Sequence, residues 1–214
     1  MRPPDIAARA TCVIALVALL LAVGARAEEI DSEAAQAQAK ATVRTTLDAV
    51  VAVLQDKSLS VAEQEAQVEK IAYTSFDFQT IARLVLARNW KRLSAEQRSD
   101  FVDEFQRHLS LTYGKTLQSY EDETISVDRS RFEKNKDVTV RTRILGAGAE
   151  PILVDYRMRK QKKKQEWNVI DVIVEGVSLI SNFRTQTKEI ISDVGPNGLI
   201  ERLRKKNEER AAKG

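Results

Sequence analysis

Few side chains in this chain could carry chemistry, and the most suggestive of them is Asp171. It lies within residues 169–173, Val-Ile-Asp-Val-Ile, where apolar residues occupy both faces of a predicted strand. A carboxylate in such surroundings must be paired or must change its pKa. With Tyr156 or Tyr113 it could form the acid–base pair of an enzyme. The alternative is a structural role, in which Asp171 accepts hydrogen bonds from a nearby helix end or arginine.

The other candidates for catalysis or metal binding are weaker. His108 is the only histidine, whereas catalytic triads and histidine-ligated zinc sites combine several groups; we interpret it as a helix-surface residue or a hydrogen-bonded core residue. Gly146-Ala147-Gly148 stands between two predicted strands and is typical of a hairpin turn. The sequence contains no P-loop, dinucleotide fingerprint, zinc loop or calcium loop. We therefore predict no catalytic residue, no cofactor and no metal.

A run of basic side chains crowds one predicted turn. It comprises Arg159, Lys160, Lys162, Lys163 and Lys164. The run is either a solvated loop or a docking site for anionic lipid headgroups or an acidic partner, since each basic residue near an anionic membrane contributes about 1 kcal/mol. Both interpretations stay open. A pure docking protein, using this turn and the C-terminal helix, is a third class of function beside an enzyme and a binding protein.

Helices surround the segment that carries these residues. Apolar residues at three- and four-residue steps predict an amphipathic helix over 32–54 and a second helix over 61–73. Asp77 is typical of the N-cap of a third helix. Ser94 with Gln97 forms a capping-box pattern that opens a long fourth helix. After the strands, Ser178 caps a helix that Gly195-Pro196 ends, and one more amphipathic helix follows.

Between these helices the apolar period changes from 3.6 residues to 2. Four strands joined by short turns are predicted, which gives an antiparallel meander with one apolar face. The chain leaves the sheet at residues 176–178. Helices, then a sheet, then helices predict an α+β domain, with helices packed on one face of a curved four-stranded antiparallel sheet. The alternating apolar residues of the first three strands are Ile125, Val127, Val138, Val140, Ile144, Ile152, Val154, Tyr156 and Met158.

The N-terminus has the three parts of an export signal. Arg2 and Arg9 precede an apolar run over residues 12–23, and Ala25-Arg26-Ala27 is a small-residue cleavage site. The run is shorter than the roughly 20 residues that a membrane span needs. We predict that 1–27 is a cleaved signal peptide and that 28–214 is a single domain in the periplasm. The only cysteine, Cys12, leaves with the signal.

The predicted mature chain carries almost no net charge. The whole chain has a formal charge of +3, and the signal removes three arginines and one aspartate, which leaves +1. A charge this small argues against nucleic acid as a partner.

A set of residues spread along nearly the whole predicted mature chain carries a resemblance to a known family. These residues are Phe76-Asp77, Ile81-Ala82, Leu86, Trp90, Ser94, Gln97, Phe101, Phe105, Tyr113, Trp167, Asp171-Val172, Gly176-Val177-Ser178-Leu179, Phe183-Arg184 and Leu199-Ile200. No single motif is diagnostic, but in their order and spacing these residues resemble the periplasmic phospholipid-carrier family of the Mla pathway, also called the toluene-tolerance family.

The resemblance implies an NTF2-like curved sheet with an apolar cavity for lipid tails between sheet and helices. It implies a carrier that moves phospholipid between an outer-membrane lipoprotein complex and an inner-membrane ABC-type transporter, with no nucleotide and no metal. Family members tied to hopanoids leave that lipid class open as cargo. One departure is Ala87, where the family typically has glycine; we expect the extra methyl group only to tighten a helix contact.

The apolar residues of the strands and the long helix are the candidate cavity lining. For each of them, a place in the ordinary packed core is the alternative. The expected lining residues are Phe105, Leu109, Tyr113, Val138, Val140, Ile152, Val154, Tyr156 and Met158.

Overall fold

The computed structural model describes residues 6–117, 123–146 and 150–212, with side chains described from residue 31 to 114 in the first range and throughout the other two. The side chains of the predicted signal peptide lie outside the described residues, as do Ala147 and Gly148 of the predicted Gly146-Ala147-Gly148 turn. The signal peptide and the turn therefore stay predictions. The helices are α1 (Ile6–Gln55), α2 (Val61–Ser75), α3 (Phe78–Leu86), α4 (Ala95–Leu117) and α5 (Leu179–Ala211), with a 3-10 helix at Ala87–Arg92. The strands are β1 (Thr124–Phe132), β2 (Val138–Leu145), β3 (Ile152–Lys160), β4 (Trp167–Val174) and β5 (Val177–Ser178).

The predicted starts of α3, α4 and α5 are confirmed by their capping hydrogen bonds, whereas α1 begins at Ile6 and not at residue 32. The backbone N–H of Thr80 donates to Asp77 Oδ1 over 2.9 Å at the start of α3. Ser94 and Gln97 satisfy each other's backbone N–H groups at 2.8 and 3.1 Å, which opens α4. Ser178 Oγ accepts from the N–H of Ser181 at the start of α5. The predicted break in α5 is also confirmed, because Gly195 has a non-helical φ of 71°.

The sheet is antiparallel throughout, with the strand order β1-β2-β3-β4-β5. Register shifts in the β1–β2 and β3–β4 pairs mark bulges, which bend and twist a sheet. The predicted α+β fold with a curved open sheet is confirmed. The strand count was one short: Glu175 and Gly176 both have positive φ, 48° and 80°, and this turn brings β5 back against the end of β4.

The buried apolar residues form two clusters, and Phe76 packs against both. The sheet cluster joins α1 to one face of the sheet and consists of Ala39, Val43, Val138, Val140, Met158, Trp167 and Val169. The helix cluster joins α3, α4 and α5 and consists of Ile81, Ala82, Val85, Leu86, Leu93, Phe101, Val102, Phe105, Ile180, Ile191, Leu199 and Ile200.

Ala87 lies in a backbone conformation that favours glycine. It is the C-cap of α3, with φ 49° and ψ −120°. The expectation that its methyl group only tightens a helix contact is wrong, because the methyl group strains the backbone at this φ. Such strain costs about 1–3 kcal/mol.

Substitution of Ala87 by glycine should therefore stabilise the protein. Relief of the strain outweighs the added entropy of the unfolded glycine chain, which costs about 0.5–1 kcal/mol. We expect a net gain of about 1 kcal/mol in the free energy of unfolding and a rise of about 2–4 °C in Tm, measured by urea and thermal denaturation. The control is Ala52→Gly at an exposed position in α1, which should lose about 1 kcal/mol. A loss for Ala87→Gly equal to that of the control would contradict the strain argument.

Candidate functional site

One face of the sheet carries apolar side chains across β2, β3 and β4. The register aligns Val140 with Tyr156 and Tyr156 with Val172, so their side chains share this face. Two residues further along the same strands, Val154 pairs with Val174, so these two side chains lie on the same face. The apolar face is thus continuous from strand to strand.

Coverage of this face falls from one end to the other. Val138, Val140 and Met158 are fully buried in the sheet cluster beneath α1. At the opposite end, Ile152 is 47% exposed and Val174 38% exposed. Val177, which pairs with Val174, is 60% exposed. We call Ile152, Val174 and Val177 the open end of the apolar face.

Tyr156 lies between the covered part and the open end. Burial raises the pKa of Tyr156 to about 12. The residue nevertheless keeps solvent-accessible surface, as its half-buried state shows. Val172, its cross-strand neighbour, is also half-buried and packs against the sheet cluster.

The nine expected lining residues lie in three places in the structure. Six lie on the apolar face: Val138, Val140, Ile152, Val154, Tyr156 and Met158. Phe105 and Leu109 belong with the helix cluster, where Phe105 stacks on Phe101 with ring centroids 5.4 Å apart. Tyr113 is 39% exposed on α4.

Three residues of this face were missed at the sequence level: Val172, Val174 and Val177. Residues 167–174 are apolar at both alternating sets of positions, so alternation alone did not reveal which set lies on this face. Cross-strand pairing with Tyr156 and Val154 was the missing signal.

Two of the recesses on the surface of the described residues are lined mainly by polar residues. One, of about 460 Å³, lies between α1, the end of α2 and the start of β4, around Gln38, Thr42, Thr74 and Asn168. The other, of about 500 Å³, has Arg129, Arg141 and Arg143 in its lining. Neither contains any of the nine expected lining residues. The apolar face is therefore distinct from these recesses.

Asp171 has the structural role that was one of its two interpretations. Its carboxylate accepts hydrogen bonds from Ser178 Oγ at 2.7 Å and from the N–H of Ile180 at 3.2 Å, and Arg157 lies 3.8 Å away. Asp171 pairs with Arg157 in the register, whereas Tyr156 pairs with Val172. Asp171 and Tyr156 therefore project from opposite faces of the sheet. The geometry does not assemble this acid–base pair.

His108 is a hydrogen-bonded core residue, the second of its two interpretations. Its Nδ1 lies 3.0 Å from Asn207 Oδ1, and Asn207 Nδ2 donates to the backbone carbonyl of Glu104 at 2.8 Å. Burial lowers the pKa of His108, which favours the neutral ring. This network ties α4 to the end of α5. Asn207 is fully buried and was not singled out in the sequence, because only the packing of two distant helices places it there.

The basic residues of the β3–β4 turn have different partners. Arg159 makes a two-pronged ion pair with Asp137, with both N···O distances 2.7 Å. Lys160 Nζ lies 3.4 Å from Gln38 Oε1. Lys162, Lys163 and Lys164 are exposed. The three exposed lysines are thus the ones available for a partner.

Among the described residues, no cluster of three or more His, Cys, Asp or Glu side chains could hold a metal ion. No helix within the described part of the chain is long and apolar enough to cross a membrane.

A curved, open antiparallel sheet whose apolar face is only partly covered by helices offers the concave, mostly apolar surroundings in which small ligands bind. The particular family follows from the sequence. The family model described as MlaC protein matches residues 44–205, and the chain belongs to that family.

Curated relatives match parts of the chain. The intermembrane phospholipid transport system binding protein MlaC of Haemophilus influenzae is 30% identical over 121 residues, 56% of this chain and 56% of that protein. The toluene tolerance protein ttg2D of Pseudomonas putida is 29% identical over 96 residues, 45% of this chain and 44% of that protein. The matches span about half the length of these relatives.

A solved structure matches over a larger share of the chain. It is a phospholipid-binding protein from Ralstonia solanacearum in complex with a phospholipid, with a TM-score of 0.73 and 27% identity. The match covers 81% of this chain and 99% of that one.

Proposed function

We propose that this protein is a periplasmic carrier that binds a phospholipid with its acyl chains against the apolar sheet face. The observation that carries the proposal is the apolar sheet face, which is continuous across β2, β3 and β4 but leaves Ile152, Val174 and Val177 exposed at its open end. An apolar ligand bound there would cover these three side chains.

The comparisons support this ligand. The Ralstonia protein, whose structure is a complex with a phospholipid, matches this chain over 99% of its own length and over 81% of this chain. The Haemophilus relative is named for an intermembrane phospholipid transport system. By this likeness the carrier would exchange phospholipid with an outer-membrane lipoprotein complex and an inner-membrane ABC-type transporter; a hopanoid remains an alternative cargo.

Physical chemistry explains why such a protein needs no reaction centre. Each buried methylene contributes about 0.8 kcal/mol, so moving two long acyl chains through bare water would cost on the order of 20 kcal/mol. An apolar space removes most of that barrier by burial alone, and the headgroup can stay in water. We propose a non-enzymatic binding protein without a cofactor, made of a cleaved signal peptide ending near Ala27 and a single domain over 28–214.

The proposed binding site combines the expected lining with the residues found at the open end. Residues at or next to the open end would contact the chains most directly, whereas the fully buried Val138, Val140 and Met158 would form the floor. The proposed chain-contacting residues are Tyr113, Ile152, Val154, Tyr156, Val172, Val174 and Val177, with Phe105 and Leu109 behind them on the helix side.

Native mass spectrometry of the mature protein purified from the periplasm tests the proposal. We expect a stoichiometric adduct with the mass of a phospholipid that is lost on denaturation, and lipid extraction should identify its headgroup and chains. A hopanoid adduct would replace phospholipid as the cargo. A lipid-free protein that also takes up no lipid from vesicles would overturn the carrier function. Cytoplasmic accumulation of the uncleaved chain would overturn the proposed location.

A further inference from the structure

The structure places two hairpin turns side by side at one end of the sheet. β1 and β2 meet at the Phe132–Val138 pair, and β3 and β4 meet at the Lys160–Trp167 pair. Val138 also pairs with Met158, two residues before Lys160. The turns that follow β1 and β3 therefore emerge together. We call the surface formed by residues 131–137 and 159–166 the basic end.

The basic end carries more positive charge than the whole chain. It has eight basic side chains and three acidic ones, a net charge of +5, whereas the whole chain carries +3. The basic residues are Arg131, Lys134, Lys136, Arg159, Lys160, Lys162, Lys163 and Lys164. The rest of the chain is therefore slightly acidic, so the molecule has a strong charge asymmetry.

The arginines of this surface are paired within the protein, and the lysines carry the excess. Arg131 bonds to Glu133 at 2.8 Å and Arg159 to Asp137 at 2.7 Å. Five lysines, at positions 134, 136, 162, 163 and 164, are exposed. Within the part of the chain that the structure describes, their ammonium groups form no ion pair. These flexible point charges remain available to an external anion.

The composition of the two turns favours a lipid surface over a protein partner. Residues 133–137 and 160–166 contain no apolar side chain, whereas protein interfaces have an apolar core enriched in aromatic residues. Lysine clusters bind anionic bilayers without such a core, because each ammonium is attracted by the negative surface potential. We propose that the basic end docks this protein onto the surface of an anionic phospholipid bilayer.

Docking of this kind would orient the carrier rather than load it. The open end of the apolar face begins at Ile152, at the other end of β3 from Lys160. Eight residue steps at about 3.3 Å place the two ends about 26 Å apart. With the basic end on the bilayer, the open end faces away from it. Membrane attachment should therefore not require bound lipid, and it is independent of the proposed cargo.

Sedimentation of the mature protein with vesicles tests this proposal. The probe is phosphatidylcholine vesicles with about one third phosphatidylglycerol, and pure phosphatidylcholine vesicles serve as the neutral comparison. We expect binding to the anionic vesicles that weakens with rising salt. The triple substitution Lys162→Gln, Lys163→Gln, Lys164→Gln should lower the partition constant roughly 100-fold.

The matched control removes the same charge elsewhere. Lys57, Lys91 and Lys188 are exposed and lie outside the basic end, so their combined change to glutamine should leave vesicle binding largely intact. Native mass spectrometry of both triple variants should show unchanged bound lipid, which separates this test from that of the carrier function. Equal loss in the two variants, or no binding by the wild type, would overturn the proposal. Binding to an acidic polyglutamate peptide but not to anionic vesicles would overturn it in favour of a protein partner.

Discussion

Replacement of Val172 by tryptophan should empty the protein of bound phospholipid while leaving it folded. Val172 is half-buried, shares the apolar face with Tyr156 and pairs with it across the strands. An indole at this position would occupy the part of the apolar face against which the acyl chains are proposed to lie. Displacing only two buried methylenes costs about 1.6 kcal/mol, which is already about a tenfold loss of affinity. We expect at least a tenfold fall in the lipid-bound fraction in native mass spectra.

The control for this substitution uses the other face of the neighbouring strand. Leu153 is half-buried on β3, next to Val154 and opposite in orientation. Leu153→Trp adds a similar bulk there and should keep its lipid. The two variants should also unfold at similar urea concentrations when lipid-free. Full lipid occupancy in Val172→Trp, or a destabilisation of several kcal/mol that marks an overpacked core, would contradict a lipid-filled space at this residue.

The parts of the fold that were predictable from sequence are those encoded within a few residues. The capping box of Ser94 and Gln97 needs only side chains three residues apart, and the structure has both of its hydrogen bonds. Period-2 alternation in β2 and β3 is also a local pattern, and it correctly predicted that Val140 and Tyr156 lie on the apolar face of the sheet. The two-residue strand β5 was not predicted, because it is too short to show a period. It depends on a turn at Glu175 and Gly176.

What the sequence left open depends on long-range packing. Alternation predicts that Val138 and Ile152 lie on the same face of the sheet. It does not predict that α1 covers Val138 and leaves Ile152 47% exposed. Arg159 resembled a free docking charge because its partner Asp137 comes from the turn between β1 and β2. The role of Asp171 stayed undecided for the same reason, since its hydrogen-bond donors belong to the next helix.

Loss of the Asp171 carboxylate should be among the most destabilising single changes in the protein. The side chain is 2% exposed and connects β4 to the first turn of α5, where a negative charge also interacts favourably with the helix dipole. Asp171→Ala would leave the buried N–H of Ile180 without its acceptor. Adding the cost of that unsatisfied donor to the loss of the charge-assisted bond from Ser178 gives an expected loss of about 3 kcal/mol in the free energy of unfolding.

Urea denaturation of Asp171→Ala against Asp193→Ala isolates this role. Asp193 also lies on α5, but its ion pair with Arg202 is exposed, so its loss should cost less than about 1 kcal/mol. Asp171→Asn keeps an oxygen that can accept from Ile180 and should fall between the two. Because Asp171 and Tyr156 project from opposite faces of the sheet, the folded Asp171→Asn protein should still carry phospholipid. Unchanged stability in Asp171→Ala, combined with loss of lipid or of a catalysed turnover, would instead place this carboxylate in the functional site and revive the acid–base alternative.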